Sequence, residues 1–289
     1  MLADPTAPLS WNPITDARQL FEFQFMVNAF RAGTIVAVAA GAIGWFMVLR
    51  RQAFAGHTLA IVGFPGAAAA VWLGLSATWG YFGFCVAAAV LIAGLQPATG
   101  GRGDESAGIG VVQAFALACG FLFISLYHGF LNGVNALLFG SFLGITAVQV
   151  LVLLGVAALA IAVLAVIGRP LLFASVDADV ALARGVPVRG LAVIFLIVLG
   201  LTVAEVSQIT GTLLVFALLV TPAATAQKLT ARPLLSLGVT VAIAVGVTWA
   251  GLAVAYYSPY PIGFFITTFA FAGYVLAALG GARRRVVRL

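Results

Sequence analysis

Residues 211–226 read GTLLVFALLVTPAATA: a glycine, an uncharged apolar run, then Thr221-Pro222-Ala-Ala-Thr225-Ala. Together with its flanks this run has the length of a membrane span, which needs about 20 mostly apolar residues. Pro222 removes a backbone donor and kinks a helix near its end. Thr221 and Thr225 are placed to bond the carbonyls so freed. The residues alone leave two readings open, a structural kink or a hinge for gating.

Outward from this segment the same composition repeats. The 289-residue chain is 63% hydrophobic and 8% charged, with a mean hydropathy of +1.17. Soluble domains carry about 25% charged residues, so this chain cannot cover a surface that faces water. Segments of alternating polarity are missing, which excludes a membrane β-barrel. The fold expected is an all-α polytopic membrane protein with about nine transmembrane helices, at 25–49, 57–78, 80–96, 109–127, 146–167, 188–206, 210–227, 234–256 and 262–281. The organisation expected is a polar N-terminal arm over 1–24, one membrane domain over 25–281 and a basic tail over 282–289. Residues 12–24 suit a short amphipathic segment on the membrane surface. No cleavable leader is expected, since the first 20 residues are polar and contain proline.

Orientation follows from the cations. Arg50, Arg51, Arg102, Arg169, Arg184, Arg189, Lys228, Arg232, Arg283, Arg284, Arg285 and Arg288 fall at alternate ends of successive spans. They are 12 of the 14 basic residues. Basic loops face the cytoplasm, which puts the C-terminus inside and the N-terminus outside. The net charge of +6 is thus a topology signal and no sign of nucleic acid. The opposite ends carry Trp79-Gly80-Tyr81, Tyr127-His128 and Tyr256-Tyr257-Ser-Pro-Tyr260-Pro, an interfacial aromatic pattern. Cys85 and Cys119 sit in apolar segments and read as small core side chains.

Ionisable groups inside the spans are few: Arg31, His57, His128 and Glu205. Glu205, beside Ser207 and Gln208, is expected near the outer interface, where water solvates it, and Arg31 is expected to snorkel outward. No Gly-x-Ser-x-Gly, His-Glu-x-x-His, intramembrane aspartate pair or phosphate-binding Gly-Lys-Ser/Thr loop is present, so the chain is expected to be no enzyme and to bind no ATP by that route. The longest connection, 169–189, reads RPLLFASVDADVALARGVPVR. Arg169-Pro170 stops a span. Ser175 then caps a short cytoplasmic helix with Asp177 and Asp179 in its first turn, Gly185 ends it and Pro187 blocks continuation. Such a helix, over 175–185, suits the docking of a motor domain.

These segments, in this order, resemble the permease subunits of the zinc- and manganese-type ABC importers. GTLLVFALLVTPAATA is similar to that family's glycine, Leu/Val run and Pro-Ala-Ala-Thr-Ala. SVDADVALARGV resembles its cytoplasmic coupling segment, Asp177, Asp179, Ala181 and Gly185 matching and Ala178 standing where the family has proline. LLFGSFLG (137–144) and YYSPYPIG (256–263) also match. In GHTLAIVGFPG (56–66), His57 stands where the family has aspartate and Ile61 where it has histidine; Pro65-Gly66 is retained. In the family that pair is thought to line the metal route.

The resemblance implies a permease in the bacterial cytoplasmic membrane, working as a homodimer with two cytoplasmic ATPase subunits and an extracytoplasmic binding protein. It binds no cofactor of its own. The cargo implied is zinc, with manganese second, and a metal chelate as the alternative; a gradient-driven secondary transporter is the remaining reading. Coupling is assigned to Asp177, Asp179, Ala181 and Gly185, and bending to Pro65, Gly66 and Pro222. His57 is the one candidate metal ligand, and its imidazole suits zinc better than manganese. The alternative is a histidine bonded to a neighbouring carbonyl for packing.

Overall fold

The computed structural model describes residues 19–95, 102–126 and 144–286. These form ten helices: α1 Gln24–Leu49, α2 Ala53–Trp72, α3 Ala77–Leu95, α4 Arg102–Leu126, α5 Ala147–Val176, α6 Ala178–Ala183, α7 Val188–Thr210, α8 Thr212–Leu229, α9 Pro233–Tyr256 and α10 Ile262–Val286. No strand occurs among the described residues. Eight of the helices are long and apolar enough to cross a membrane. The 18-residue α8 supplies the ninth apolar segment, and each expected span has its helix, although 57–78 overruns α2, which ends at Trp72, into the start of α3.

The end of α5 also differs from expectation. Helix α5 does not stop at Arg169-Pro170 but runs through Pro170 to Val176, 30 residues in all. At 1.5 Å per residue that is about 45 Å, longer than the hydrocarbon core of about 30 Å. The Arg-Pro pair therefore marks the end of the apolar run and not of the helix. Helix α2 continues through Pro65-Gly66, as the expected span over 57–78 does.

The described residues fall into two compact units, one within Met1–Trp45, Ser141–Gly155 and Ala217–Leu289, the other within Phe46–Gly140 and Val156–Phe216. In the first, α9 packs on α10, with Gly251 against Ile266. Polar groups there are tied across the unit: the Trp45 indole donates to Ser236 Oγ (2.9 Å), Asn28 to the Ile145 carbonyl ahead of α5 (3.1 Å) and Trp249 to Thr34 Oγ1 (2.8 Å).

In the second unit α2 packs on α3, α4 and α7, and α3 on α7. The α2–α3 crossing is made by Gly66 and Gly80, and a Cβ on either would run into the other's carbonyl oxygen. Pro65 meets Gly120 of α4, where a Cβ would lie 3.0 Å from its ring. Small residues let membrane helices approach this closely where lipid gives no hydrophobic drive to associate. Hydroxyls on α7 are satisfied within the helix, as Thr202 to the Val198 carbonyl (3.0 Å), Ser207 to Val203 (2.7 Å) and Thr210 to Val206 (3.0 Å). Large apolar side chains such as Val111, Phe115 and Phe121 on α4 are exposed, as lipid-facing residues must be.

Candidate metal route and coupling segment

The helix expected over 175–185 is shorter than that range and capped by a different residue. Asp177 (φ −147°, ψ 102°) is the N-cap of α6, and its carboxylate accepts from the Val180 amide at 3.0 Å. Ser175 is no cap: it lies in the last turn of α5, donating its hydroxyl to the Leu171 carbonyl. The other end closes as expected. Gly185 sits at φ +79°, its amide bonded to the Leu182 carbonyl (2.9 Å) and that of Val186 to the Ala181 carbonyl (3.0 Å). This pair of bonds around a left-handed glycine is the Schellman closure. Ala181 is fully buried and Asp179 exposed, and α6 packs on α7.

Arg50 joins this segment to the rest of its unit. Its Nε donates to Gln52 Oε1 (3.1 Å), its Nη1 to Ser175 Oγ (3.3 Å), and the guanidinium lies 5.4 Å from the centroid of the Phe195 ring on α7. The sequence marks Arg50 only as a topology cation. Ser175 and Phe195 lie 125 and 145 positions away, and no local pattern connects them.

On α2, His57 is half-buried and Ile61 follows one turn on. The ring stands edge-to-face with Phe216 of α8, centroids 5.1 Å apart at 70°. Next to it, Thr58 is buried and donates to Gln113 Oε1 of α4 (2.9 Å). Among the described residues no group of three or more His, Cys, Asp and Glu side chains could hold a metal ion. His128 and most of the 137–144 motif lie outside the described residues, as does most of the N-terminal arm.

Pro222 lies inside α8. The carbonyl it leaves free is that of Leu218, four positions back. Thr225 bonds the Thr221 carbonyl instead, at 2.7 Å, so the pairing expected for Thr225 is not made. Between α7 and α8 stands Gly211 at φ 75°, ψ 158°, a conformation nearly confined to glycine. The two helices therefore meet at a one-residue break.

Glu205, in the last turns of α7, corrects the expectation of a water-solvated interfacial acid. It is 0% exposed, and neither carboxylate oxygen has a hydrogen-bond partner among the described residues. Arg31, by contrast, is exposed on α1.

Comparison with known proteins places this geometry. The family model described as "ABC 3 transport family" matches residues 22–280. The manganese transport system membrane protein MntC of Halalkalibacterium halodurans is 31% identical over 216 residues, 74% of this chain and 73% of that protein. The manganese import system permease protein ScaB of Streptococcus gordonii is 30% identical over 207 residues, 72% of this chain and 73% of that protein. Among solved structures, PsaBC from Streptococcus pneumoniae in complex with Fab superposes with a TM-score of 0.80 at 26% identity, covering 91% of this chain and 94% of that one.

Proposed function

The chain belongs to the ABC 3 transport family and is a multi-pass permease of a metal-type ABC importer; from that premise we propose that its cargo is manganese, carried inward across the cytoplasmic membrane with ATP. The observation that carries this choice is the likeness to manganese permeases over nearly three quarters of the chain.

In this reading the partners are a cytoplasmic ATPase, an extracytoplasmic metal-binding protein and a second copy of the permease. The C-terminus is cytoplasmic. Closure of the ATPase on its nucleotide presses on α6, whose ends are fixed by the Asp177 cap and the Gly185 closure. Arg50, bonded to Ser175 at the end of α5 and stacked over Phe195, passes that displacement to the start of α2 and to α7. His57 lies one turn into α2 and would move with it. Gly66 holds the α2–α3 crossing, Pro65 packs α2 on α4, and Pro222 permits α8 to bend.

Zinc is the second reading, supported by one observation. The residue at the start of α2 is an imidazole, which suits zinc, copper or nickel better than a hard cation.

Proteoliposomes holding the chain, its ATPase and its binding protein test the proposal. Manganese should accumulate with ATP and not without it. The Gly185→Arg variant should reach the membrane intact, keep basal ATP hydrolysis and lose uptake. Zinc entry without manganese entry would reverse the cargo. Entry of neither metal would turn the reading to a chelate, and entry without ATP would remove the importer mechanism.

A further inference from the structure

One face of α7 turns polar where a membrane helix has least reason to be. Ile194, Ile197 and Leu201 share that face with Glu205 and Gln208, at the three- and four-residue spacing that aligns side chains along a helix. Ile194, Ile197, Leu201 and Gln208 are all at least partly open, while Ala204 and Glu205 between them are closed over completely. The accessible stripe is thus interrupted at the carboxylate and resumes beyond it. Three residues past Gln208 stands the Gly211 break. Irregular backbone within an apolar stretch persists only where protein covers it or a polar cavity adjoins it.

Buried carboxylates in membrane proteins are costly and ordinarily pair with a cation or with hydrogen-bond donors. Glu205 does neither among the described residues. The neighbouring hydroxyls do not serve it, since Thr202, Ser207 and Thr210 donate to the carbonyls of Val198, Val203 and Val206. Thr202 and Gln208 stand three residues to either side of Glu205, within neighbour range on a helix surface. The Thr202 hydroxyl has spent its proton on Val198 and keeps only its oxygen to offer. Gln208 donates its amide to the Ala204 carbonyl at 3.3 Å, which leaves its side-chain oxygen as an acceptor. This row therefore offers oxygen: one carboxylate, one hydroxyl and one amide carbonyl, with no imidazole or sulfur ligand among them.

We propose that Thr202, Glu205 and Gln208 form an oxygen-only step on the route of a hard divalent cation, with the Glu205 carboxylate as its ligand. Oxygen donors suit manganese, magnesium and calcium, whereas nitrogen and sulfur donors favour zinc and copper. One carboxylate with two neutral oxygens makes a weak site, which suits a pathway that must release its ion. The inference rests on the metal-import reading and deepens it, because it gives the chain a group that prefers manganese, which His57 does not.

The test has two readouts on the full chain. Manganese binding to the purified chain in lipid nanodiscs is followed by electron paramagnetic resonance, with the metal alone as probe. ATP-driven manganese uptake is followed in proteoliposomes with the ATPase and binding protein. Glu205→Gln should abolish the bound-manganese signal and raise the KM for manganese at least about tenfold, as loss of a ligand-shell interaction does, while Glu205→Asp retains part of both. Thermal stability of Glu205→Gln should be equal or higher, since an amide is easier to bury than a carboxylate; a purely structural acid would leave KM alone and move stability. Binding and KM at wild-type values in Glu205→Gln overturn the proposal, as does uptake by a wild-type chain that binds no manganese, which leaves import standing. A wild-type chain that takes up no metal overturns the proposal and the import reading together.

Discussion

Helices α2 and α7 both pack on α3, and each carries one ionisable residue inside its apolar stretch, yet they treat it in opposite ways. His57 on α2 is half-buried, its ring edge-to-face with Phe216. Glu205 on α7 is closed over with both oxygens unpartnered among the described residues. The imidazole has a ring to pack against, whereas both oxygens of the buried carboxyl group lack a hydrogen-bond partner among the described residues. The side chain with a local explanation is the weaker candidate for cargo, and the one without is the stronger.

The two helices also differ in how tightly they hold α3. At Gly66 an added Cβ would run into the Gly80 carbonyl oxygen and lie 2.5 Å from Phe84 Cβ, backbone and side-chain root that cannot withdraw. At Gly200 the nearest atoms are the Cys85 carbonyl oxygen at 2.9 Å and Ala89 Cβ at 3.2 Å. The largest effect should come from Gly66→Val, which exceeds the usual overpacking cost of about 1–3 kcal/mol and should leave little folded chain in detergent. Gly200→Ala should lower the melting midpoint but leave a folded protein. Gly246→Ala on α9, where nothing lies within 4 Å, should be neutral or slightly stabilising. Equal losses at Gly66 and Gly200 would erase the distinction between the two crossings.

Next in size is the Glu205→Gln effect on manganese uptake. Then comes Asp177→Ala, which removes the cap of α6 and should cost about 1 kcal/mol locally, read as faster amide exchange over 178–183 and a lower ratio of transport to ATP hydrolysis. His57→Phe should be the smallest, leaving the KM for manganese within about threefold, because phenylalanine keeps the edge-to-face contact and only the nitrogen ligand is lost. A larger loss from His57→Phe than from Glu205→Gln would reverse the comparison.

Much of this was legible in the sequence because a membrane span is a matter of length and apolarity, and both are local. The nine apolar segments, the Gly185 closure and the odd histidine could all be read from a few neighbouring residues. Errors arose where two local signals competed or where the deciding partner was remote. Ser175 and Asp177 are both good caps two residues apart, and only the continuation of α5 past Pro170 selects Asp177. The role of Arg50 needs Ser175 and Phe195, which no window of sequence joins to it. Glu205 beside Ser207 and Gln208 looks like a polar span end; that it is shut away is a property of the helices around α7.

The most direct single measurement is ATP-driven entry of manganese into proteoliposomes as a function of free metal, with wild type and Glu205→Gln side by side. The account predicts saturable, ATP-dependent entry in the wild type and a KM at least about tenfold higher in the variant. Wild-type entry that ignores ATP, or no entry of manganese at all, would contradict it.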